Sequence, residues 1–530
     1  MSNAADGNEK PVKSVGLVML ISTLARCVSL AGSVCYTAWF GYTLETDIYS
    51  YAVNLPNIIF TCIGTALVTV VIPIFAGSLA SREKDRAYGF INNIVTISLI
   101  LAAIVAAAGI FASPLIVRMI AKFNDGNPAL ALFALRMMFP VLLFHAVNYI
   151  LQGVLQTNER YLLPAAVSAF SGLSIIIYVA LFAERFGIRG LLAATFIGLA
   201  AQAVFLVFPA IFSIGYKYKP SLRLADRDVR LAGRLALPVL VSSSSYQFNM
   251  FLNSTFTARF DGGVLTITNM LTLAFTAAQL FIISTLAVFF PKMSARYAMG
   301  DTTGFMGAYN SVLRLIMIFA VPASAALAYL SHLLIPLLYG HGRVTESDMS
   351  VSAAVFTIYA CAIASIGFKE AADRAFYAVR DTRTPAAVSV VIMALNVVLS
   401  LILMKVFGLA GLPVAYLTAI SAGAAILMLI LRTRLKKISI NNPDSINGGL
   451  LPLALKCGVS TCVMLAALIA VEFVYDRSFA ANAFYLPAYE KLIRIAVLTA
   501  AGGAAYAAAS CALRVEEFRR LARLLSRRAL

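Results

Sequence analysis

The chain reads as an all-α polytopic membrane protein of about fourteen transmembrane helices, arranged as two six-helix lobes followed by two further helices. Three observations predict this. Of its 530 residues 61% are hydrophobic and only 12% charged, with a mean hydropathy of +0.87, whereas soluble chains carry about a quarter charged residues. Apolar stretches of about 20 residues, the length that crosses a hydrocarbon core, recur from one end to the other. Basic residues gather in alternate loops, the signature of oriented membrane spans.

The net charge of +18 would suggest nucleic acid in a soluble protein. Here the basic residues flank apolar spans, so they read as orientation signals and as contacts for anionic headgroups. The expected partners are membrane lipids and a lipid-borne substrate, with no nucleic acid. The seven cysteines fall inside apolar stretches without paired or metal-ligand spacing and read as small core residues. No phosphate-cradling glycine loop and no catalytic constellation is present, so the sequence predicts a transporter rather than an enzyme, with no cofactor and no metal.

Taken in order, the expected spans cover about 14–40, 48–80, 88–112, 129–156, 162–183, 188–214, 232–258, 264–294, 307–331, 349–378, 385–406, 409–432, 449–473 and 488–513. Pro56, Pro140, Pro238 and Pro336 mark kinks or ends. Residues 1–13 are polar and read as a cytoplasmic tail, 14–214 as the first lobe, 215–231 as a basic cytoplasmic linker and 232–434 as the second lobe. The added helices fall at 449–513 and a basic tail at 514–530. The first linker, with Tyr216 and Tyr218, reads either as an amphipathic connector on the headgroups or as a solvated loop. Loops carrying Arg82, Lys84 and Arg86, then Lys217, Lys219 and Arg223, then Arg432, Arg434, Lys436 and Lys437 define the cytoplasmic side. Both termini then lie on the cytoplasmic side.

An internal repeat supports the two lobes. Pro164-Ala165-Ala166-Val167-Ser168 recurs as Pro385-Ala386-Ala387-Val388-Ser389, and Phe186-Gly187-Ile188-Arg189-Gly190-Leu191 as Phe407-Gly408-Leu409-Ala410-Gly411-Leu412. Both pairs share one offset of 221 residues (164 to 385, 186 to 407). The copies are six spans apart, so they have the same orientation, as in transporters built from parallel repeats.

Ionised groups inside apolar spans cost about 3 kcal/mol or more and mark candidate sites. Arg26 stands alone in the first span. Its guanidinium suits a diphosphate bidentately; a structural ion pair, for example with Asp47, is the other reading. Asp47, at the start of the second span, serves equally as a helix cap. Asn57, after Leu55-Pro56, can satisfy carbonyls freed at a kink. The tenth span carries Lys369, Glu370, Asp373 and Arg374, whose spacing predicts the pairs Glu370–Arg374 and Lys369–Asp373 on one helix. Ser242 to Ser245, Gln247, Asn249 and Asn253 make the seventh span polar, for helix–helix bonding or for lining a cavity.

The pieces Leu24-Ala25-Arg26, Phe40-Gly41, Thr46-Asp47, Leu55-Pro56-Asn57 and, above all, Arg374-Ala375-Phe376-Tyr377-Ala378-Val379-Arg380-Asp381-Thr382-Arg383-Thr384-Pro385 resemble the MurJ/MviN family of lipid II flippases. The resemblance implies two lobes around a cationic cavity, alternating access, and a groove at the last two helices for a polyprenyl tail. It implies transport of an undecaprenyl-diphosphate-linked peptidoglycan precursor, hence a role in cell-wall biogenesis and cell shape, with cell-wall synthesis proteins as partners. Arg26, which the resemblance supports, and Asp47, Asn57, Lys369, Glu370, Asp373 and Arg374, read from the residues themselves, are the candidate substrate-binding residues. The family's further cavity arginines fall at Gly32, Phe60 and Thr61, and near Thr272. Transport of another lipid-linked oligosaccharide, a drug/ion antiporter-type exporter and a non-transporting scaffold are the alternatives.

Overall fold

The computed structural model describes the backbone of residues 6–80, 84–158, 160–212, 214–258, 263–279, 299–342, 344–379, 381–438, 450–478 and 487–515, with scattered residues between 282 and 297. Among the described residues there is no strand. The all-α expectation therefore holds. Nine segments among them are long and apolar enough to cross a membrane, and they cover ten of the fourteen expected spans, the eleventh and twelfth being joined. The chain forms two compact units, Met1–Asn269 and Met270–Leu530.

In the first unit, α1 (Asp6–Phe40) and α2 (Leu44–Ala80) are joined by a tight turn at Gly41, whose φ of 69° suits glycine. Next come α3 (Lys84–Met119), α4 (Ala121–Gly126), α5 (Pro128–Met138), α6 (Val141–Thr157), α7 (Leu162–Ala166), α8 (Ala169–Leu181), α9 (Ala183–Phe212), α10 (Arg227–Thr257) and the start of α11 (Val264–Ala278). The expected fourth span is two helices, because Pro140 lacks the N–H that would continue α5. α5 starts on Asn127, whose side chain accepts the Leu130 N–H, with Pro128 in the first turn. By contrast α2 runs through Pro56 and α10 through Pro238. One core joins Val71 and Phe75 of α2, Phe90, Ile91 and Ile94 of α3, and Val154 and Leu206 of α6 and α9.

The first part of the basic linker, residues 216–223, is a largely exposed segment without helix, pinned to α3. Asn92 Oδ1 accepts the Tyr216 hydroxyl at 2.7 Å and the Lys219 N–H at 3.2 Å, and Asn93 exchanges two bonds with the Arg223 backbone. Its C-terminal part belongs to α10, which Asp226 caps by accepting the Asp228 and Val229 N–H groups. Arg86 then pairs with Asp228 at 2.9 Å.

In the second unit the helices beyond α11 are α12 (Thr302–Leu315), α13 (Val321–Tyr329), α14 (Ser331–Tyr339), α15 (Glu346–Ala378), α16 (Arg383–Phe407), α17 (Gly411–Ile438), α18 (Leu450–Ser478) and α19 (Ala488–Ala512). A π-turn, Ile316–Ala320, joins α12 to α13. Pro322 has no N–H to give to the carbonyl four residues back, Ile318. The Tyr506 hydroxyl of α19 donates to that carbonyl instead, at 2.9 Å, so a proline in one helix creates the acceptor that seats another. Leu330, Leu333, Met464, Leu468 and Leu498 form the core of this junction.

The repeat is visible in the backbone. Gly187 has φ 56° and ψ −149°, and Gly408 has φ 57° and ψ −133°. Two glycines 221 residues apart thus make the same left-handed corner, which a residue with a Cβ adopts only under strain.

Candidate functional site

In the first unit, Arg26 lies on an exposed face of α1. Among the described residues it makes no ion pair and no hydrogen bond, so the ion-pair reading with Asp47 is not realised. A guanidinium left with all five donors unused is a ready receptor for an oxyanion. Its neighbour Ala25 is buried, and α1 packs on α8. The crossing of α1 and α8 is close: a Cβ on Gly32 would lie 2.8 Å from the Gly172 carbonyl oxygen, and one on Gly172 would lie 2.5 Å from the Val28 carbonyl oxygen. The position that holds an arginine in the family is therefore a packing contact here.

Asp47 is fully buried on α2. Its carboxylate accepts the Gly263 N–H at 2.8 Å, the Thr266 N–H at 2.9 Å and the Thr266 hydroxyl at 3.0 Å. It thus caps α11 from another helix and meets the positive end of that helix dipole. One face of α2 extends the seam: Ser50 bonds Thr266 at 3.1 Å and Tyr51 bonds Thr255 at 3.4 Å. Asn57 is exposed on α2; its backbone carbonyl accepts the Thr61 hydroxyl at 2.7 Å. Phe60, where the resemblance would place an arginine, is buried and stacks on His145, with Tyr149 beside it at a centroid distance of 5.9 Å.

In the second unit, the α15 cluster forms one of its two expected pairs, Lys369–Asp373. Lys369 Nζ lies 2.5 Å from Asp373 Oδ2 and 3.6 Å from Glu370 Oε1. Asp373 is buried, and its other oxygen is buried without a hydrogen-bond partner. The expected Glu370–Arg374 pair is not formed. Arg374 instead lies over the Phe290 ring at 5.6 Å, an alternative a guanidinium has and an ammonium uses less well. Where α15 gives way to α16, Asp381 accepts the N–H groups of Arg383 and Thr384 and the Thr384 hydroxyl, and pairs with Arg434 of α17. Burial opposes the charge of Asp381, but the Thr384 bonds and Arg434 outweigh it and hold the carboxyl below the usual carboxylate range.

The sequence reading missed one buried cluster. Glu472 of α18 accepts the Tyr329 hydroxyl at 2.5 Å, lies 2.8 Å from His332 Nε2, and pairs with Arg494 of α19 at 2.5 Å. The available signal was one acidic and two basic residues, Glu472, Lys491 and Arg494, near the facing ends of the last two apolar spans.

A family profile described as "Lipid II flippase MurJ" matches residues 36–491; Arg26 precedes the matched stretch. A protein named "Probable lipid II flippase MurJ" from Treponema pallidum is 23% identical over 497 residues, covering 91% of each chain. Its namesake from Rickettsia prowazekii is 26% identical over 430 residues, covering 77% of this chain and 81% of the relative. Among solved structures, "Lipid II flippase MurJ, inward closed conformation" superimposes with a TM-score of 0.75 at 18% identity, covering 94% of this chain and 98% of the other.

Proposed function

Because the chain belongs to the MurJ family of lipid II flippases, a family of transporters rather than enzymes, we propose that it flips lipid II, the undecaprenyl-diphosphate-linked peptidoglycan precursor, across the bacterial cytoplasmic membrane. The polar headgroup cannot cross hydrocarbon unaided, since each unsatisfied polar group there costs several kcal/mol. A flippase offers that headgroup a hydrated path while the tail stays in lipid.

The observation on this chain that carries the reading is Arg26, a cation in an apolar helix with no partner among the described residues. We assign it the diphosphate, held by paired N–H donors. Asn57, exposed on α2, supplies a neutral donor and acceptor for the headgroup. Lys369, Glu370 and Arg374 are the corresponding polar groups of the second unit, and Asp373 fixes the Lys369 ammonium. Asp47 positions α11 rather than touching the substrate. The loop charges support cytoplasmic termini. Proteins that make and consume the carrier are the partners this substrate implies.

Transport of another diphosphate-linked oligosaccharide is the second reading. Gly32 in a helix crossing and Phe60 in an aromatic stack remove two cationic positions that the family offers to the headgroup. Expression of this chain in a bacterium depleted of its own lipid II flippase decides between them. Restored growth without lipid II accumulation is expected. A chain that reaches the membrane folded yet leaves growth arrested would favour the other glycan.

A further inference from the structure

The first unit contains a cavity of about 540 Å³ that the transport reading does not use. Three helices line it, each with a single stripe. α2 contributes Leu55, Ile58, Ile59 and Cys62, spaced i, i+3, i+4, i+7. α10 contributes Ser244, Gln247, Phe248 and Phe251 with the same spacing. α3 contributes Val105, Ala108, Gly109, Ala112 and Ile116. Such spacing keeps each stripe on one face along its helix axis. The Cys62 thiol is hydrogen-bonded with Ser244, which joins the stripes at a common end. The cavity is therefore elongated along the helices, about 10 Å on the α2 wall and about 16 Å on the α3 wall at 1.5 Å per residue.

We propose that this cavity binds the unbranched acyl chain of a bilayer phospholipid. The α3 wall belongs to a membrane span, so the medium around it is hydrocarbon, and an apolar cavity of this kind does not hold water. Among the described residues no charged side chain lines it. The part of the ligand inside is thus uncharged, and the headgroup stays at the mouth. Phe248 is 51% exposed and leaves the α10 side open for entry. On α3, Ile104, Phe111 and Leu115 face outward, Phe111 at 85% exposure, so bilayer chains lie directly beside the cavity.

The wall selects a linear chain over a branched one. At Gly109 the α3 wall is closed by Phe139: a Cβ there would lie 2.1 Å from the Phe139 ring, so no methyl branch enters between them. Ala108 and Ala112 present only methyl groups on either side of it, and Val105 and Ile116 close the two ends of the wall. An acyl chain fits such a surface along its length, whereas a polyprenyl chain presents a methyl group on every unit. The site stands on the cavity and its membrane setting alone and does not depend on the substrate assignment.

The test uses the full-length protein reconstituted in phosphatidylglycerol vesicles containing a phosphatidylglycerol with a diazirine near the end of one acyl chain. After photolysis, labels are expected in peptides carrying residues 55–62 and 105–116, competed by excess unlabelled phosphatidylglycerol. Ala112→Phe, which plugs the cavity, should reduce labelling at least tenfold, whereas Leu115→Phe on the lipid-exposed face of α3 should not. A variant with Cys62 as its sole cysteine provides a readout independent of the plug: lipid should slow its reaction with a small membrane-permeant maleimide about tenfold relative to delipidated detergent. Labelling by a diazirine polyprenyl phosphate but not by the phospholipid would overturn the acyl assignment. Labelling no greater than on the outer face of α3, with Cys62 equally reactive in both media, would overturn the site.

Discussion

The Asp47 carboxylate accepts both the backbone N–H and the hydroxyl of Thr266, at 2.9 and 3.0 Å, across 219 residues of sequence. A buried carboxylate with three donors, the third from Gly263, caps a helix that its own chain segment does not begin. Replacing a capping residue by alanine costs about 0.5–2 kcal/mol, and bonds to charged groups are worth about 1.5–3 kcal/mol each. Asp47→Ala should therefore lower the unfolding temperature clearly, and Asp47→Asn less, because its carbonyl still accepts. Thermal unfolding in nanodiscs reads this; equal melting of Asp47→Ala and wild type would show the cap to be dispensable.

Restoring the family's arginine at Gly32 should fail. The Cβ alone would meet the Gly172 carbonyl at 2.8 Å, and overpacking of this kind costs about 1–3 kcal/mol. Gly32→Ala should reduce the folded yield and Gly32→Arg should reduce it further, without any gain in transport. A Gly32→Arg protein that folds in normal yield and transports faster would mean that α1 and α8 separate more readily than the structure indicates.

Lys369 and Asp373 form a pair 2.5 Å apart with Asp373 buried. Removing one member of a buried pair costs about 3–5 kcal/mol, while replacing both by apolar residues is often neutral. Lys369→Met should destabilise the protein strongly, and Lys369→Met with Asp373→Leu should recover most of the loss. Additive effects of the two substitutions on the unfolding temperature would rule out the coupling.

Asp381 gives a dependence on pH. Its carboxyl is held below its ordinary value of 3.8, so its contribution to stability is fully present above that value and is lost as pH falls through the lower, folded value. The difference in unfolding temperature between wild type and Asp381→Asn should stay constant from pH 7 to 5 and shrink below about pH 4. Because Arg434 is half exposed, the difference itself should be small. A difference that grows on acidification would contradict the assignment.

Much of this architecture was legible in the sequence because membrane spans declare themselves by length and composition. Pro140 predicted its break, and the glycines of the repeated Phe-Gly motif proved to share one backbone corner. Arg26 was legible as a lone charge in an apolar run. Partnerships were less legible. The i,i+4 rule offered α15 two ion pairs, but Arg374 found the Phe290 ring, which nothing local in the sequence places there. Asp47 looked like a cap without revealing that the capped helix begins at Val264. Gly32 read as a lost cavity charge, although only the approach of Gly172 shows why a side chain is excluded. In each case the deciding group lies far away in sequence.

The central claim is that Arg26 holds the diphosphate of the carrier lipid. It is tested most directly by flipping of lipid II in proteoliposomes containing wild type, Arg26→Lys or Arg26→Ala at equal protein content. With charged hydrogen bonds worth about 1.5–3 kcal/mol each, Arg26→Ala should slow flipping at least tenfold. Arg26→Lys should recover only part of the rate, because an ammonium lacks the bidentate fork. Unfolding temperatures should be unchanged in both variants, since Arg26 has no partner among the described residues. Flipping by Arg26→Ala at the wild-type rate would contradict the account.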